Sequence, residues 1–435
     1  MQRTKQSARF WLALCIFGLT GQVAWVVENM YFNVFLYQMF HASAASISAM
    51  VAASAVSATV TTLLVGALSD KVGRRRIFIC AGYILWGLSI CAFALLRVDY
   101  LSSLFPTLSA AAVGVTLVII LDCVMTFFGS AANDACYNAW LTDSTDHTNR
   151  GAAEGINAMM PLMAILVVFG GFMSFDLTQQ SSWTAIFLLI GGAVVVIGVL
   201  GFFLIRDTAV KTEENGHYFR NIVYGFRLSV VRKNPVLYAT LLAFAVFGIS
   251  IQIFMPYLIL YYTETLKMAD YVLVMAPAIL LASVATAFYG RLYDRVGFAR
   301  SVIPAMLLLL AGYGVLYVCR ATLPVFIGSL LMMTGYLAGM AVFGAMLRDH
   351  TPENKAGMFQ GLRIVAQVLI PGIIGPAIGA AVLQNAETVV NTDGTTSFIP
   401  NAGIFLAAAV AALVVACPLW LVLRLKKQEV SDREN

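Results

Sequence analysis

Two acidic side chains stand where acids are expensive. Glu28 and Asp122 lie inside apolar runs long enough to cross a bilayer, where a charge costs about 2.5–3.5 kcal/mol on insertion scales. Each therefore asks for a chemical reason. A carboxyl in a poorly hydrated cavity can take up a proton and release it as the cavity opens to one side and then the other. The same oxygens, joined by Asn29 or Asn33, suit Na⁺. Glu28 and Asp122 are thus the candidate ion-coupling groups, the alternative being carboxyls hydrogen-bonded between helices. Helical spacing puts Trp25, Asn29 and Phe32 on the face of Glu28, at i−3, i+1 and i+4. An acid among aromatics and amides suits a hydroxyl-rich ligand, which stacks its apolar face and hydrogen-bonds its rim; ordinary helix packing is the plainer reading. Trp25, Asn29 and Asn33 join Gln252, Tyr257, Tyr336 and Gln367, polar groups of later apolar runs, as candidate substrate-binding residues.

The elements that must position these groups follow from composition. Of 435 residues, 60% are hydrophobic and 11% charged, against about 45–50% and 25% in soluble domains. A water-soluble enzyme, a disordered chain and a coiled coil are excluded. A hydrocarbon core needs roughly 20 apolar residues as helix, and twelve segments qualify: 9–40, 43–69, 77–97, 107–141, 152–175, 183–205, 236–265, 270–292, 301–319, 323–347, 357–384 and 401–424. The runs are continuous, without the alternation of barrel strands. The basic start (Arg3, Lys5, Arg9) leads into an apolar stretch too long for a signal peptide, so the first segment is expected to remain as a transmembrane helix. All seven cysteines fall inside apolar runs and read as packing residues, with no metal-ligand spacing. The net charge of +5 is dispersed among short connections, so nucleic acid is not an expected partner.

The basic residues also fix an orientation. With both termini in the cytosol, every Lys and Arg except Arg97, Lys267, Arg320 and Arg363 falls on the cytosolic side. The longest such connection, 206–235, carries Arg206, Lys211, Arg220, Arg227, Arg232 and Lys233. Its part from Tyr218 to Arg232 reads as an amphipathic helix on the membrane surface, tethering two halves. Three parts result: a six-helix bundle over 1–205, a linker over 206–235, and a second bundle over 236–435.

The halves echo each other. LTDSTDHTNRGAAEG, from Leu141, matches LRDHTPENKAGMFQG, from Leu347, at a constant offset, pairing Asp143 with Asp349, Thr145 with Thr351 and Gly155 with Gly361. GALSDKVGRRR, from Gly66 to Arg76, matches GRLYDRVGFAR, from Gly290 to Arg300, pairing Asp70 with Asp294, Gly73 with Gly297 and Arg76 with Arg300. Such internal repeats at matching loops are a signature of transporter folds. The sequence resembles the major facilitator superfamily, whose loop 2–3 pattern is filled here by Gly66, Leu68, Asp70, Gly73, Arg74 and Arg75. The resemblance implies an all-α membrane protein of twelve transmembrane helices in two pseudo-symmetric six-helix bundles, with segments 1, 4, 7 and 10 lining a central cavity and the halves rocking about a midplane site. It also implies that the loop is a cytosolic latch, making Gly66, Asp70, Gly73, Arg74, Arg76, Asp294 and Arg300 gating residues, with Asp143 and Asp349 at the matching loops. Asp70 is expected to accept from the first turn of helix 3 or to pair with a loop arginine. Asp134 and Arg363, in the cytosolic third of their helices, are read as gating, with Arg76 a further possible partner of Asp134. Were Arg363 to reach the cavity, an anionic substrate would fit, because Arg grips carboxylates bidentately.

Segment 11 carries Gly372, Gly375, Pro376 and Gly379, a run suited to close packing and a kink. Drug/proton antiporters of the superfamily carry a similar run in helix 5, where this chain has Leu166, Phe169, Gly170 and Met173; the departure counts against an antiporter. No P-loop, GxSxG, HExxH or Rossmann fingerprint appears, and the four histidines are isolated. No catalytic residue, metal site, cofactor or obligate protein partner is expected. The expected function is secondary active transport of a small polar solute, a sugar or related hydroxylated compound, by H⁺ or Na⁺ symport with alternating access across the cytoplasmic membrane. The chain loosely resembles the glycoside–pentoside–hexuronide cation symporters, through its helix 1 and 4 carboxylates and Arg232-Lys233-Asn234-Pro235-Val236-Leu237. The alternative is proton-coupled export of lipophilic or amphipathic compounds. A sensor on a transporter fold would append a soluble domain, and only Leu425 to Asn435 follow the last segment.

Overall fold

The computed structural model describes residues 6–145, 149–207, 226–351, 361–391 and 394–434. Among them, twelve helices are long and apolar enough to cross a membrane. They are α1 (Ala8–Phe40), α2 (Ala44–Gly66), α3 (Arg75–Leu95), α4 (Ala110–Asp143), α5 (Gly155–Phe172), α6 (Gln180–Leu204), α7 (Pro235–Thr265), α8 (Tyr271–Tyr289), α9 (Arg291–Val318), α10 (Thr322–His350), α11 (Gly361–Val382) and α12 (Gly403–Gln428). Hydrocarbon offers no partner to a bare amide, so runs this apolar must close their backbone hydrogen bonds internally. The spans match the sequence expectation to within a few residues, except that α9 starts ten residues earlier. The helix of α8 continues into α9, broken at Gly297 with φ 76° and ψ 178°.

Short-range chemistry sets the ends. Ser7, Ser43 and Ser109 cap α1, α2 and α4, their hydroxyls accepting from the amides of Phe10 (3.2 Å), Ser46 (3.1 Å) and Ala112 (3.4 Å). Pro235 opens α7 in its first turn. The turn after α2 closes through Gly73 at φ 68°, and its repeat partner Gly297 also has a positive φ, though at a different ψ; glycine adopts positive φ without strain. The repeat extends to side chains. Thr145 donates to the Leu141 carbonyl at 2.8 Å and its counterpart Thr351 to the Leu347 carbonyl at 2.6 Å.

The chain divides into two compact units, Met1–Gly216 with Asn391–Ser397, and His217–Val390 with Phe398–Asn435. Most of the expected amphipathic stretch lies outside the described residues; its described end is a short helix, Leu228–Lys233. Among the described residues, one element departs from an all-helical chain, a ribbon of β1 (Thr388–Val390) and β2 (Thr396–Phe398) between α11 and α12. In the first unit His41, left-handed at φ 50°, lies 3.1 Å from Asn391 Nδ2 and 3.2 Å from Ser397 Oγ, so it is not isolated as its sequence context suggested.

Glycine seams hold the helices of each unit together. In the first, a Cβ on Gly87 of α3 would lie 2.5 Å from the Gly191 carbonyl of α6, and one on Gly191 would lie 2.6 Å from the Gly87 carbonyl. In the second, Gly312 of α9 abuts the backbone of Met332, and Gly335 of α10 that of Leu309. The α11 run is such a seam too: Gly375 abuts Gln252 and Gly379 abuts Ile253, both of α7. Small residues are what let helices approach where water exclusion does not drive them together.

Four of the spans are interrupted by π-helical turns: Val27–Tyr31 in α1, Ser130–Tyr137 in α4, Tyr261–Thr265 in α7 and Val365–Leu369 in α11. Such turns leave carbonyls and side chains out of ordinary register and collect at functional sites. Glu28, Asp134 and Gln367 each sit in one.

The α3–α6 seam predicts a graded outcome. Gly191→Ala should lower the unfolding free energy by about 1–3 kcal/mol through overpacking, whereas Gly192→Ala, which meets nothing within 4 Å, should leave it unchanged. Thermal unfolding of both variants in detergent decides it.

Candidate functional site

The first unit gathers the intramembrane acids. Glu28, on the π turn of α1, is 7% exposed, and Asp122 of α4 is 1% exposed. Ser54 Oγ of α2 and Thr126 Oγ1 of α4 each lie at hydrogen-bond distance, 2.8 Å, from Glu28 Oε1, and the two hydroxyl oxygens are also 2.8 Å apart. Asp122 lies against the same serine. Three helices thus bring two acids and two hydroxyls into one cluster. Glu28 Oε2 and Asp122 Oδ1 are buried without a hydrogen-bond partner, as is Asn33 Oδ1. Buried acceptors left bare cost about 1–3 kcal/mol each, so this cluster is held at an energetic expense that packing elsewhere must offset.

The π turn explains where the α1 side chains go. Sequence spacing places Phe32 on the face of Glu28, but that spacing assumes 3.6 residues per turn. The wider turn moves Phe32 into an aromatic core, 1% exposed and 4.6 Å from the Phe93 ring and 5.6 Å from that of Phe187. Trp25 is half-buried, its ring 4.9 Å from that of Trp86. Asn29 is exposed and donates to the Trp25 carbonyl at 2.8 Å, while Asn33 is buried and donates to the Asn29 carbonyl at 3.0 Å.

Polar contacts continue along α4. Asp134 accepts from Ser130 at 3.0 Å and from Asn133 at 3.4 Å. Asn133 Oδ1 stands 2.9 Å from the Tyr83 phenol, which donates to the Phe17 carbonyl at 2.8 Å. Gly21 is what admits Asn133 and Tyr83 against α1. Asp134 is therefore tied into its own unit. The suggested Asp134–Arg76 pair is not formed, because Arg76 is committed to the end of α6. Its guanidinium donates to the Phe202 carbonyl and lies over the Phe202 ring.

In the second unit, Gln252 and Tyr336 are half-buried. Arg363 donates to Gln367 Oε1 at 3.2 Å, one turn further along α11, and Gln367 Nε2 is buried without a partner. Tyr257 is corrected from its expected role. It is fully buried and its phenol donates to the Pro376 carbonyl at 3.3 Å, so the hydroxyl serves the helix that Pro376 interrupts.

The repeated loops show how one requirement is met twice. In the first unit Arg75 is buried and donates to Asp143 Oδ2 at 3.0 Å and to Ser69 Oγ at 2.5 Å. In the second unit the position of Ser69 is Tyr293, whose phenol donates to Asp349 Oδ2 at 2.5 Å, and the position of Arg75 is Ala299. A cation holds one aspartate and a phenol holds the other. Sequence reasoning singled out Arg74 and Arg76 as gating and passed over Arg75, the arginine of the three that is buried; Arg74 is exposed. The first turn of α3, expected to bind Asp70, has the Arg76 amide donating to Asp207 Oδ1 at 2.8 Å. The Asp70 side chain lies outside the described ones. Gly66 is helical and its carbonyl accepts from Ser69 at 2.9 Å; Asp294 and Arg300 are exposed.

The family model of the Major Facilitator Superfamily matches residues 10–340 and 273–435. Solved structures of similar fold include a bacterial homolog of the human lysosomal transporter Spinster, inward-facing and unoccupied (14% identity, 97% of this chain and 98% of that one, TM-score 0.73). Others are the nucleoside transporter NupG (13%, 95% and 98%, 0.67) and the xylose transporter XylE from E. coli in a partially occluded inward-open conformation (14%, 94% and 99%, 0.66). At these identities the likeness establishes the fold. No curated protein matches the sequence.

The buried clasp of the first unit carries a prediction. Arg75→Ala, which strips the donor from Asp143 and Ser69, should lower unfolding free energy by about 2 kcal/mol, and Tyr293→Phe in the second unit by about 1 kcal/mol. Exposed Arg74→Ala should change it by less than about 0.5 kcal/mol. Detergent-solubilised thermal unfolding of the three variants tests the order.

Proposed function

The chain belongs to the Major Facilitator Superfamily, and from that premise we propose that it is a secondary active transporter importing a small polar solute together with H⁺ or Na⁺. The observation that carries the reading is the acid pair of the first unit. Glu28 and Asp122 are buried by three helices, each with an oxygen lacking a partner, and no described Lys, Arg or His is recorded hydrogen-bonded to either. A purely structural carboxyl would be expected to have both oxygens satisfied. Acids held bare are suited to a cation that arrives and leaves.

Import of a hydroxylated solute is favoured by what surrounds the pair. Trp25 offers a half-buried aromatic face and Asn29 an exposed amide one turn on, the combination that accepts a polyol's apolar face and its rim. On the second unit we assign Gln252, Tyr336 and Gln367 to ligand contact, and Arg363 to gating through Gln367. Two proteins of similar fold are described as a nucleoside transporter and a D-xylose–proton symporter, both moving sugar-bearing compounds. We place the protein in the cytoplasmic membrane with both termini cytosolic, on the distribution of its basic residues. Transport then follows alternating access, the acids exchanging their cation with one side at a time.

The test is uptake by purified protein in liposomes that enclose a pH dye, with sugars, polyols, sugar acids and amino acids added outside in turn. Acidification with one class only names the solute and the proton together. Sodium-dependent uptake without acidification selects Na⁺, and no uptake of any class refutes the import reading. Asp122→Asn and Glu28→Gln should each reduce accumulation to the equilibrium level while leaving exchange of labelled solute across the membrane intact. Undiminished accumulation by either variant removes that residue from coupling.

A further inference from the structure

Three oxygens in the first unit are spaced as only hydrogen bonds space them, and counting the hydrogens gives more than the coupling reading contains. Glu28 Oε1, Ser54 Oγ and Thr126 Oγ1 form a closed triangle with every side 2.8 Å. Each side at that length needs a hydrogen between its oxygens, because two lone pairs facing each other at hydrogen-bond distance repel. A triangle therefore needs three hydrogens. Serine and threonine hydroxyls supply one each. The third has one place left to sit.

We infer that Glu28 Oε1, Ser54 and Thr126 form a proton-binding site, occupied in this conformation by a proton on Glu28 Oε1. The ring then runs in one direction. Glu28 donates to one hydroxyl, that hydroxyl to the other, and the second back to Glu28 Oε1, which as an acid hydroxyl can both donate and accept. The assignment accounts for a separate fact. Glu28 Oε2, the oxygen without a partner, becomes the carbonyl oxygen of a neutral acid, far cheaper to leave bare in an apolar surround than an ionised one. With Glu28 ionised, two hydroxyl hydrogens would have to serve three contacts, and one side of the triangle would open.

The neighbours agree in sign. Among the described residues, the titratable groups that interact electrostatically with Glu28 are Asp122, Cys123 and Asp134 of α4, none of which can supply a positive charge. A metal cation among these oxygens would turn a lone pair of each toward itself and spread them apart, whereas a proton keeps them at the spacing seen. Ser54 and Thr126 are positioning residues on this account: they hold the protonated acid in place and offer a route by which the ring can reverse when the proton leaves.

This inference rests on the assignment of Glu28 to coupling, and infrared difference spectroscopy on the full-length protein in lipid nanodiscs tests it without transport. At neutral pH the spectrum should contain the carbonyl stretch of a protonated carboxyl that disappears in Glu28→Gln and persists in Asp122→Asn. The band should shift in Ser54→Ala and in Thr126→Val, each of which breaks the ring, and return to its place in Thr126→Ser, which restores the hydroxyl. A Glu28 seen only through its carboxylate stretch overturns the inference, as does a band indifferent to both hydroxyls or one removed by adding Na⁺. A band that behaves as expected in a protein showing no proton-coupled uptake sinks the symport reading and leaves the proton site standing.

Discussion

A polar atom that enters the hydrocarbon slab must find its partner inside the protein, and most of this structure is arranged by that requirement. Amides and carbonyls meet it by helix formation, which is why chemistry so apolar folds into spans and little else. Where a helix stops, a substitute is found. The last carbonyls of α6 take hydrogen bonds from Arg9 and Arg76, and the Arg206 carbonyl beyond them accepts from Trp140. Between α7 and α11 the buried Tyr257 phenol finds the Pro376 carbonyl. Against that background, Glu28 and Asp122 are acids that each keep a bare oxygen. They are places where the rule is left unmet by the protein and is available to be met by something else.

Close approach and polar satisfaction divide the labour among helices. The glycine seams of α3 with α6 and of α9 with α10 bring backbones together with no polar side chain involved. Glu28, Asp134 and Gln367 sit instead in the π turns of α1, α4 and α11. A π turn inserts a residue, so side chains beyond it are rotated relative to those before it. In α1 this separates Glu28, directed to Ser54 and Thr126, from Phe32, directed into the aromatic core.

The fold was legible because its signal is long and redundant. Twelve apolar runs, a charge asymmetry and a repeat each reported it independently, and apart from the start of α9 the spans agree to a few residues. The glycines at 73 and 297 were legible for the same reason, since one residue type answers one backbone need. The site was legible only as residue types. Glu28 and Asp122 could be picked out as costly acids, but their joint contact with Ser54 could not, because it depends on the rotation of α2 against α1 and α4. Phe32 was misplaced by a period that changes within the helix. Tyr257 was misjudged because a buried tyrosine that serves a neighbouring carbonyl and one that serves a ligand are the same letter. Arg75 was passed over between two equally basic neighbours, burial being the one property that separates them and one that a sequence does not print. The ribbon between α11 and α12 left no signal, its strands being three residues each.

The aspartates at the ends of α4 and α10 bear a history. If the repeat descends from the duplication of one bundle, the two copies began with the same clasp and have since parted, one keeping arginine with serine, the other having tyrosine with alanine. Neither half of that exchange is neutral alone. Losing the arginine first abandons the aspartate, while gaining tyrosine first crowds a bulky ring into a space the guanidinium already fills. The two positions are thus bound in epistasis, and a lineage could cross between the two states only through a weakened intermediate or by changing both together. Related chains should therefore fall into two camps at this pair of positions, with mixed combinations rare.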